Sequence, residues 1–111
     1  LPYHLSALTQ AAVTAALRHA DTMLGMVDEI VAQRDRISRE PVAMGYTPAE
    51  SWTNFVLFGG VADPAATWQA LYDRGVLIRD VGIPGHLRVT AGTEAETTAF
   101  LSALASVGLN A

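Results

Sequence analysis

The chain has 111 residues, of which half are hydrophobic and 16% are charged, as expected of one domain with a packed core. Seven basic residues against eleven acidic ones leave a formal charge of -4 without a basic run, so we expect no nucleic-acid partner. The absence of cysteine excludes disulfides and thiolate chemistry, and because all seven basic residues are arginine, the chain contains no lysine for a Schiff base.

The first third of the chain predicts two helices. Ser6 is a candidate N-cap for an alanine-rich helix from Ala7 to about His19. Asp21 can cap a second, amphipathic helix, whose apolar residues recur at helical spacing and form one stripe. The residues of this stripe are Leu24, Val27, Ile30, Val31 and Ile37.

A proline and a glycine mark the end of the second helix. Pro41 would remove a backbone hydrogen bond and clash with the carbonyl of Ile37. The helix is therefore expected either to stop near Arg39 or to continue, kinked, to Met44. Gly45 is its natural final stop.

A strand and a third helix follow. The continuous aromatic and β-branched run from Asn54 to Phe58 predicts a central strand that is buried on both faces. Asp63 is then a candidate N-cap, and Pro64 fits the first turn of a helix that ends at Gly75. The predicted inward residues of this helix are Trp68, Leu71 and Tyr72.

Two further short strands are predicted, from Val76 to Ile78 and from His86 to Thr90. In the second of them, Leu87 and Val89 share one face. Because side chains alternate along a strand, Arg88 must point to the opposite face.

A capping box begins the last predicted helix. Thr93 and Glu96 have the spacing at which each side chain can bond the other residue's backbone N–H. The inward residues of this helix, which lie before Gly108, are Phe100, Leu101 and Leu104.

These elements predict an α+β fold, in which helices cover a small, mostly antiparallel sheet. No apolar run is long enough to cross a bilayer, so we expect a cytoplasmic protein without a membrane partner. A fold class alone does not identify a function.

Most residue types that carry chemistry form no recognisable site pattern. The three histidines show no metal-ligand spacing, and no serine lies in a nucleophile elbow, so we predict no metal site and no hydrolase. Trp52 and Trp68 could stack on a ligand, but aromatic residues next to a strand or on a helix's inner face are far more often core. We therefore interpret both tryptophans as core residues.

Two arginines are more informative, because each lies in or beside an apolar strand, where a guanidinium needs a partner. They are Arg79 and Arg88. A planar fork of donors suits bidentate binding of a carboxylate or phosphate, which indicates an anionic ligand. The spacing alone favours the alternative, internal pairing with Asp80 or Glu96.

Three segments carry a family pattern in their order and spacing: Ser51 to Phe58 (SWTNFVLF), Asp73 to Asp80 (DRGVLIRD) and Leu87 to Thr93 (LRVTAGT). The opening segment, Leu1 to Ser6 (LPYHLS), is similar to the family's segment just downstream of the cofactor lysine. Together they resemble the histidinol-phosphate aminotransferases, and the likeness covers essentially the whole chain.

The resemblance implies a fold-type I aminotransferase of histidine biosynthesis, which uses pyridoxal phosphate to move an amino group between histidinol phosphate and 2-oxoglutarate. The chain would be the C-terminal small domain of that enzyme, with residues 1–20 leading from a large cofactor domain. Because the lysine belongs to that large domain, this chain alone is expected to be inactive and to bind no cofactor. The parent enzyme is expected to be a homodimer.

The resemblance also assigns substrate-binding residues. Arg88 matches the arginine that holds the substrate's α-carboxylate, and Arg79 matches the arginine where the substrate phosphate binds. Asn54 matches the asparagine of the family's Asn-Phe strand, and Tyr3 falls in a segment that passes near the active site.

Two other functions remain open from the sequence. One is the small domain of a related aminotransferase for aromatic or other amino acids, and the other is a stand-alone ligand-binding or interaction module. If the chain is a domain of a larger enzyme, the first helix should carry apolar residues that are exposed or packed on another chain. These residues are Leu5, Leu8, Val13 and Leu17.

Overall fold

Helices cover one face of a small antiparallel sheet in this computed structural model, which describes residues 3–108. The helices are α1 (Ala7–Leu17), α2 (Ala20–Arg39), a 3-10 helix (Glu40–Met44), α3 (Pro64–Tyr72) and α4 (Glu94–Gly108). The strands are β1 (Thr47–Pro48), β2 (Phe55–Gly59) and β3 (Leu87–Thr90), in the spatial order β1-β2-β3. Both strand pairs are antiparallel, so the predicted α+β class is confirmed.

The central strand is β2, as predicted, but only one of its faces is buried. Val56 and Phe58 lie in the core, whereas Phe55 and Leu57 are half-buried. The expectation of burial on both faces was wrong, because the helices supply core residues to one side of the sheet only. These core residues include Ile37 of α2, Leu71 of α3, and Phe100, Leu101 and Leu104 of α4.

Helix α2 follows α1 almost without a break. The hydroxyl of Ser6 accepts a hydrogen bond from the Thr9 N–H at 3.1 Å, which confirms the predicted cap of α1. Asp21 does not cap α2, because that helix already starts at Ala20 and the carbonyl of His19 accepts from the Met23 N–H. Asp21 instead lies in the first turn, where its charge still suits the helix dipole.

Pro41 changes the type of helix rather than ending it. The α-helix stops at Arg39, and a 3-10 helix continues to Met44, so the structure combines the two predicted outcomes. Gly45 has φ of 92°, a left-handed conformation that glycine adopts without strain, and it ends the helical segment as predicted.

Helix α1 and the first half of α2 extend away from the core. No described residue of α1 is buried, and its Leu8 and Leu17 are 81% and 67% exposed, which confirms the predicted exposure. Within the predicted stripe of α2, only Ile30 and Ile37 pack on the core. The others, Leu24, Val27 and Val31, are exposed.

The predicted strand from Val76 to Ile78 was wrong. The Val76 N–H bonds the Leu71 carbonyl at the end of α3, and the indole N–H of Trp68 donates to the Ile78 carbonyl at 2.9 Å. These bonds use backbone groups that a strand would pair, so one isolated bridge, between Arg79 and Arg88, remains. Strand β1 was not predicted, because it is only two residues long and includes a proline at the sheet edge.

The caps of the last two helices are confirmed. Asp63 accepts from the Ala66 N–H at 3.0 Å, and Thr93 pairs with Glu96 before α4. Helix α3 ends at Tyr72 and continues only as a turn to Gly75.

Tyr72 and Trp52 were wrongly predicted to lie inside. Tyr72 is 52% exposed, and its ring stacks on that of Trp68, with 5.2 Å between the ring centroids. Trp68 is partly buried against the core, as predicted. Trp52 is 84% exposed in the turn before β2, where no helix covers it.

Candidate functional site

The site is the face of the sheet that the helices leave uncovered. Val56 and Phe58 pair with Val89 and Leu87 in the core, so the residues between them point to the other side. We call this side the open face and define it by Phe55, Leu57, Arg79, Arg88 and Thr90.

Strand register brings the two predicted arginines together on the open face. The N–H of Arg79 donates to the Arg88 carbonyl and the N–H of Arg88 donates to the Arg79 carbonyl, both at 2.9 Å. Residues that exchange both hydrogen bonds in an antiparallel pair are directly opposite and share a face. Two guanidinium groups therefore extend from adjacent positions on the same side of the sheet.

The guanidinium of Arg88 lies over an aromatic ring. Its Cζ is 4.7 Å from the centroid of the Phe55 ring. Arg88 is half-buried, and its Nε is buried without a hydrogen-bond partner. Its two terminal Nη atoms are not buried in this way and are therefore the donors that a ligand can reach. The side chain of Arg79 is exposed.

Neither arginine is neutralised by the acids that the sequence suggested. Asp80 accepts a hydrogen bond from the Gly82 N–H, and Glu96 accepts from the backbone and hydroxyl of Thr93. Across residues 3–108 the ion pairs are Arg34–Asp35 and Arg36–Glu40. The expected pairing of Arg79 or Arg88 with Asp80 or Glu96 was therefore wrong, because local turn and cap bonds already hold both carboxylates.

The other two predicted site residues lie differently. Asn54 directly precedes β2, and its carbonyl accepts from the Ala91 N–H, so it lies at the end of the sheet where Phe55 pairs with Thr90. Its side chain is exposed. Tyr3 is 92% exposed ahead of α1, and no contact among the described residues joins it to the arginines.

Sequence reasoning missed Phe55 as a partner of Arg88. The available signal was the position of Phe55 one residue before the buried Val56, which puts it on the outward face. Its contact with Arg88, however, depends on the register between two strands that are distant in sequence, which alternation within one strand does not specify.

The open face also carries a crowded polar row where Gly59 separates Thr47 from His86. A Cβ atom added to Gly59 would lie 2.8 Å from both the His86 Nε2 and the Thr47 Oγ1. The Nδ1 of His86 is 2.8 Å from the Pro84 carbonyl, which leaves the Nε2 edge toward the open face.

The part of the chain that the structure describes contains neither a metal-binding cluster nor a membrane-spanning helix. No group of three or more histidine, aspartate and glutamate residues is arranged to hold a metal ion there. Among the helices of residues 3–108, none is long and apolar enough to span a bilayer.

Comparison with curated proteins finds closely similar sequences. Histidinol-phosphate aminotransferase of Paenarthrobacter aurescens is 64% identical over 104 residues, which are 94% of this chain and 28% of that protein. The enzyme of the same name from Mycolicibacterium smegmatis is 63% identical over 103 residues, 93% of this chain and 27% of that protein. The chain thus spans little more than a quarter of the length of these relatives.

Solved structures share the fold. A histidinol-phosphate aminotransferase from Sinorhizobium meliloti, in complex with pyridoxal 5'-phosphate, superposes with a TM-score of 0.76 at 30% identity and covers 96% of this chain. A provisionally assigned aminotransferase from Burkholderia pseudomallei gives a TM-score of 0.86 at 30% identity over 94% of this chain. The chain covers 31% and 33% of those two proteins.

The match to a described family covers nearly the whole sequence. Residues 1–104 match the family described as aminotransferase class I and II. The close relatives and the shared fold agree with that match. This chain therefore belongs to the class I and II aminotransferase family.

Proposed function

We propose that this chain is the C-terminal small domain of a histidinol-phosphate aminotransferase and that its open face binds the anionic groups of the substrates. The parent reaction would transfer an amino group between histidinol phosphate and 2-oxoglutarate. The observation that carries the proposal is the pair Arg79 and Arg88, side by side without an acidic partner among residues 3–108. The names of the close relatives support the choice of substrate.

The proposed binding follows from the charges. Like charges directly opposite each other destabilise a sheet, so a site that keeps two adjacent guanidinium groups is suited to an anion that neutralises them. Arg88 would donate from its two terminal nitrogens to the substrate carboxylate. Arg79, which is exposed, would donate to the phosphate of histidinol phosphate.

Asn54 and Tyr3 belong to the same proposal with smaller roles. Asn54 directly precedes Phe55 at the end of the sheet, and its exposed side chain would border a ligand that extends past that end in the complete enzyme. Tyr3 would reach the site only when residues 1–20 are packed on the large domain, since nothing in the described residues holds it.

The proposed partner is the large cofactor domain of the same enzyme, within a homodimeric parent in the cytoplasm. The apolar side chains of α1 support a covering partner, because no described residue of that helix is buried. The half-buried Phe55 and Leu57 support a second contact region on the open face.

The cofactor of the family does not fit this chain alone. Pyridoxal phosphate needs a lysine for its covalent attachment, and all seven basic residues here are arginine. We therefore assign no chemical step to the chain and propose that its residues bind and orient substrate anions.

The test uses the full-length enzyme that contains this chain. R88A should lower kcat/KM for 2-oxoglutarate, because a bidentate charge-assisted contact is lost. The expected decrease corresponds to a loss of about 2 to 4 kcal/mol in transition-state binding. R79A should raise KM for histidinol phosphate more than KM for 2-oxoglutarate. R74A is the matched control, because Arg74 is exposed on the turn after α3 and donates to the Ala70 carbonyl.

Each outcome separates the possibilities. Unchanged kinetics in R88A would remove the carboxylate role. If R79A left KM for histidinol phosphate unaltered, the phosphate substrate would lose its support, and an aminotransferase for other amino acids would become the better assignment.

A further inference from the structure

We propose that Phe55 is a positioning residue that holds the Arg88 guanidinium in the orientation needed to bind a carboxylate end-on. This inference rests on the proposed function. It assigns a role to a residue outside the predicted binding set, on the basis of the contact between the two side chains.

Arg88 has to be held by something other than an acid. An arginine side chain has many rotamers of similar energy, so an unanchored guanidinium would be spread over many positions. Among residues 3–108 no carboxylate pairs with Arg88, and none of its side-chain nitrogens has a hydrogen-bond partner. The described contact that can hold the group is the Phe55 ring, 4.7 Å from Cζ.

The backbone of Phe55 is itself held by hydrogen bonds. Its N–H donates to the Thr53 hydroxyl, and its carbonyl accepts from the hydroxyls of Ser51 and Thr53. Phe55 pairs with Thr90, two residues from Arg88 on β3, so the ring and the guanidinium are diagonal neighbours on one face. These bonds hold the backbone from which the ring extends, at the start of the central strand.

Contact with a ring face restricts which donors a ligand can reach. A cation above an aromatic ring is attracted to its face, while the N–H groups of the guanidinium lie in the guanidinium's own plane. The Nε of Arg88 is buried, so the accessible donors are the two Nη atoms. That geometry fits a planar carboxylate approaching the end of the side chain.

The experiment compares four variants of the full-length enzyme: F55L, F55Y, W52L and R88A. F55L keeps an apolar side chain but removes the ring, and we expect KM for 2-oxoglutarate to rise about threefold to tenfold while kcat changes less than twofold. F55Y keeps the ring face and should restore KM to within about twofold of the parent. W52L removes an aromatic side chain that is 84% exposed and should leave KM unchanged.

Several results would overturn the inference. An unaltered KM in F55L would do so, as would equal effects of F55L and F55Y, or an effect of W52L as large as that of F55L. R88A separates this inference from the proposed function: a strong effect of R88A without one of F55L refutes the positioning role alone. No effect of R88A refutes the carboxylate site itself.

Discussion

Thr93 and Glu96 satisfy each other's hydrogen bonds at the start of α4. The N–H of Thr93 donates to the Glu96 Oε2 at 2.7 Å, its hydroxyl donates to the same oxygen at 2.9 Å, and the Glu96 N–H donates back to the Thr93 Oγ1 at 3.3 Å. These bonds cap the N-terminus of α4, the helix that supplies Phe100, Leu101 and Leu104 to the core.

The capping box should make the stability of the folded chain depend on pH. The backbone and side-chain hydrogen bonds from Thr93 hold the pKa of Glu96 below its ordinary value of 4.5. A carboxyl whose pKa is lower in the folded state stabilises the fold fully above its unfolded pKa, and this contribution is lost as pH falls through the folded pKa.

We therefore expect E96Q to have a lower Tm than the parent chain at neutral pH. The difference between the two Tm values should become smaller below about pH 4.5. Thermal unfolding followed by circular dichroism between pH 3 and 7 measures this. E94Q is the matched control, because Glu94 is in the same helix turn but has no bond to Thr93. A constant difference across that range would contradict the prediction.

G59A should destabilise the sheet by about 1 to 3 kcal/mol, because the added methyl group overpacks a well-filled place. Its Cβ would lie 2.8 Å from both the Oγ1 of Thr47 in β1 and the Nε2 of His86, the residue just before β3. Denaturant unfolding of the chain gives the free energy. G25A is the control, because a methyl group there meets nothing within 4 Å. Since alanine favours a helix over glycine, G25A should raise the free energy of unfolding by at most about 1 kcal/mol. Equal effects of the two substitutions would show that crowding at Gly59 is unimportant.

The chain by itself should form no lysine-linked adduct with pyridoxal phosphate and show no aminotransferase activity, because it has no lysine. Absorbance titration, followed by borohydride reduction and peptide mapping, tests this and separates any adduct on the N-terminal amine. The full-length enzyme treated in the same way is the positive control. A saturable adduct within residues 2–111 would refute the prediction.

L8Q and L17Q should reduce self-association of the chain without changing its fold. Both leucines are exposed on α1, so their replacement removes exposed apolar surface and should change the free energy of unfolding by less than about 0.5 kcal/mol. Light scattering over a concentration series measures association. L71Q, at a fully buried position, should instead unfold the chain. Unchanged association in both surface variants would contradict the prediction.

Much of the local structure followed from residues close together in sequence. The caps at Ser6 and Asp63 and the Thr93–Glu96 box depend on bonds that span three residues, so the sequence alone determines them. The outward direction of Arg88 follows in the same way from the alternation of side chains along one strand. The absence of lysine likewise needed no structure.

The tertiary structure decided what depends on distant residues. The Trp68 indole bonds the carbonyl of Ile78 and prevents a regular strand there, and register brings Arg79 opposite Arg88. Phe55 meets Arg88 because β2 pairs with β3 in one register, and a shift by one residue would turn that ring into the core. Such pairings join residues that are nine or more positions apart, and no local propensity specifies them, because the free energy that selects them comes from packing the whole core.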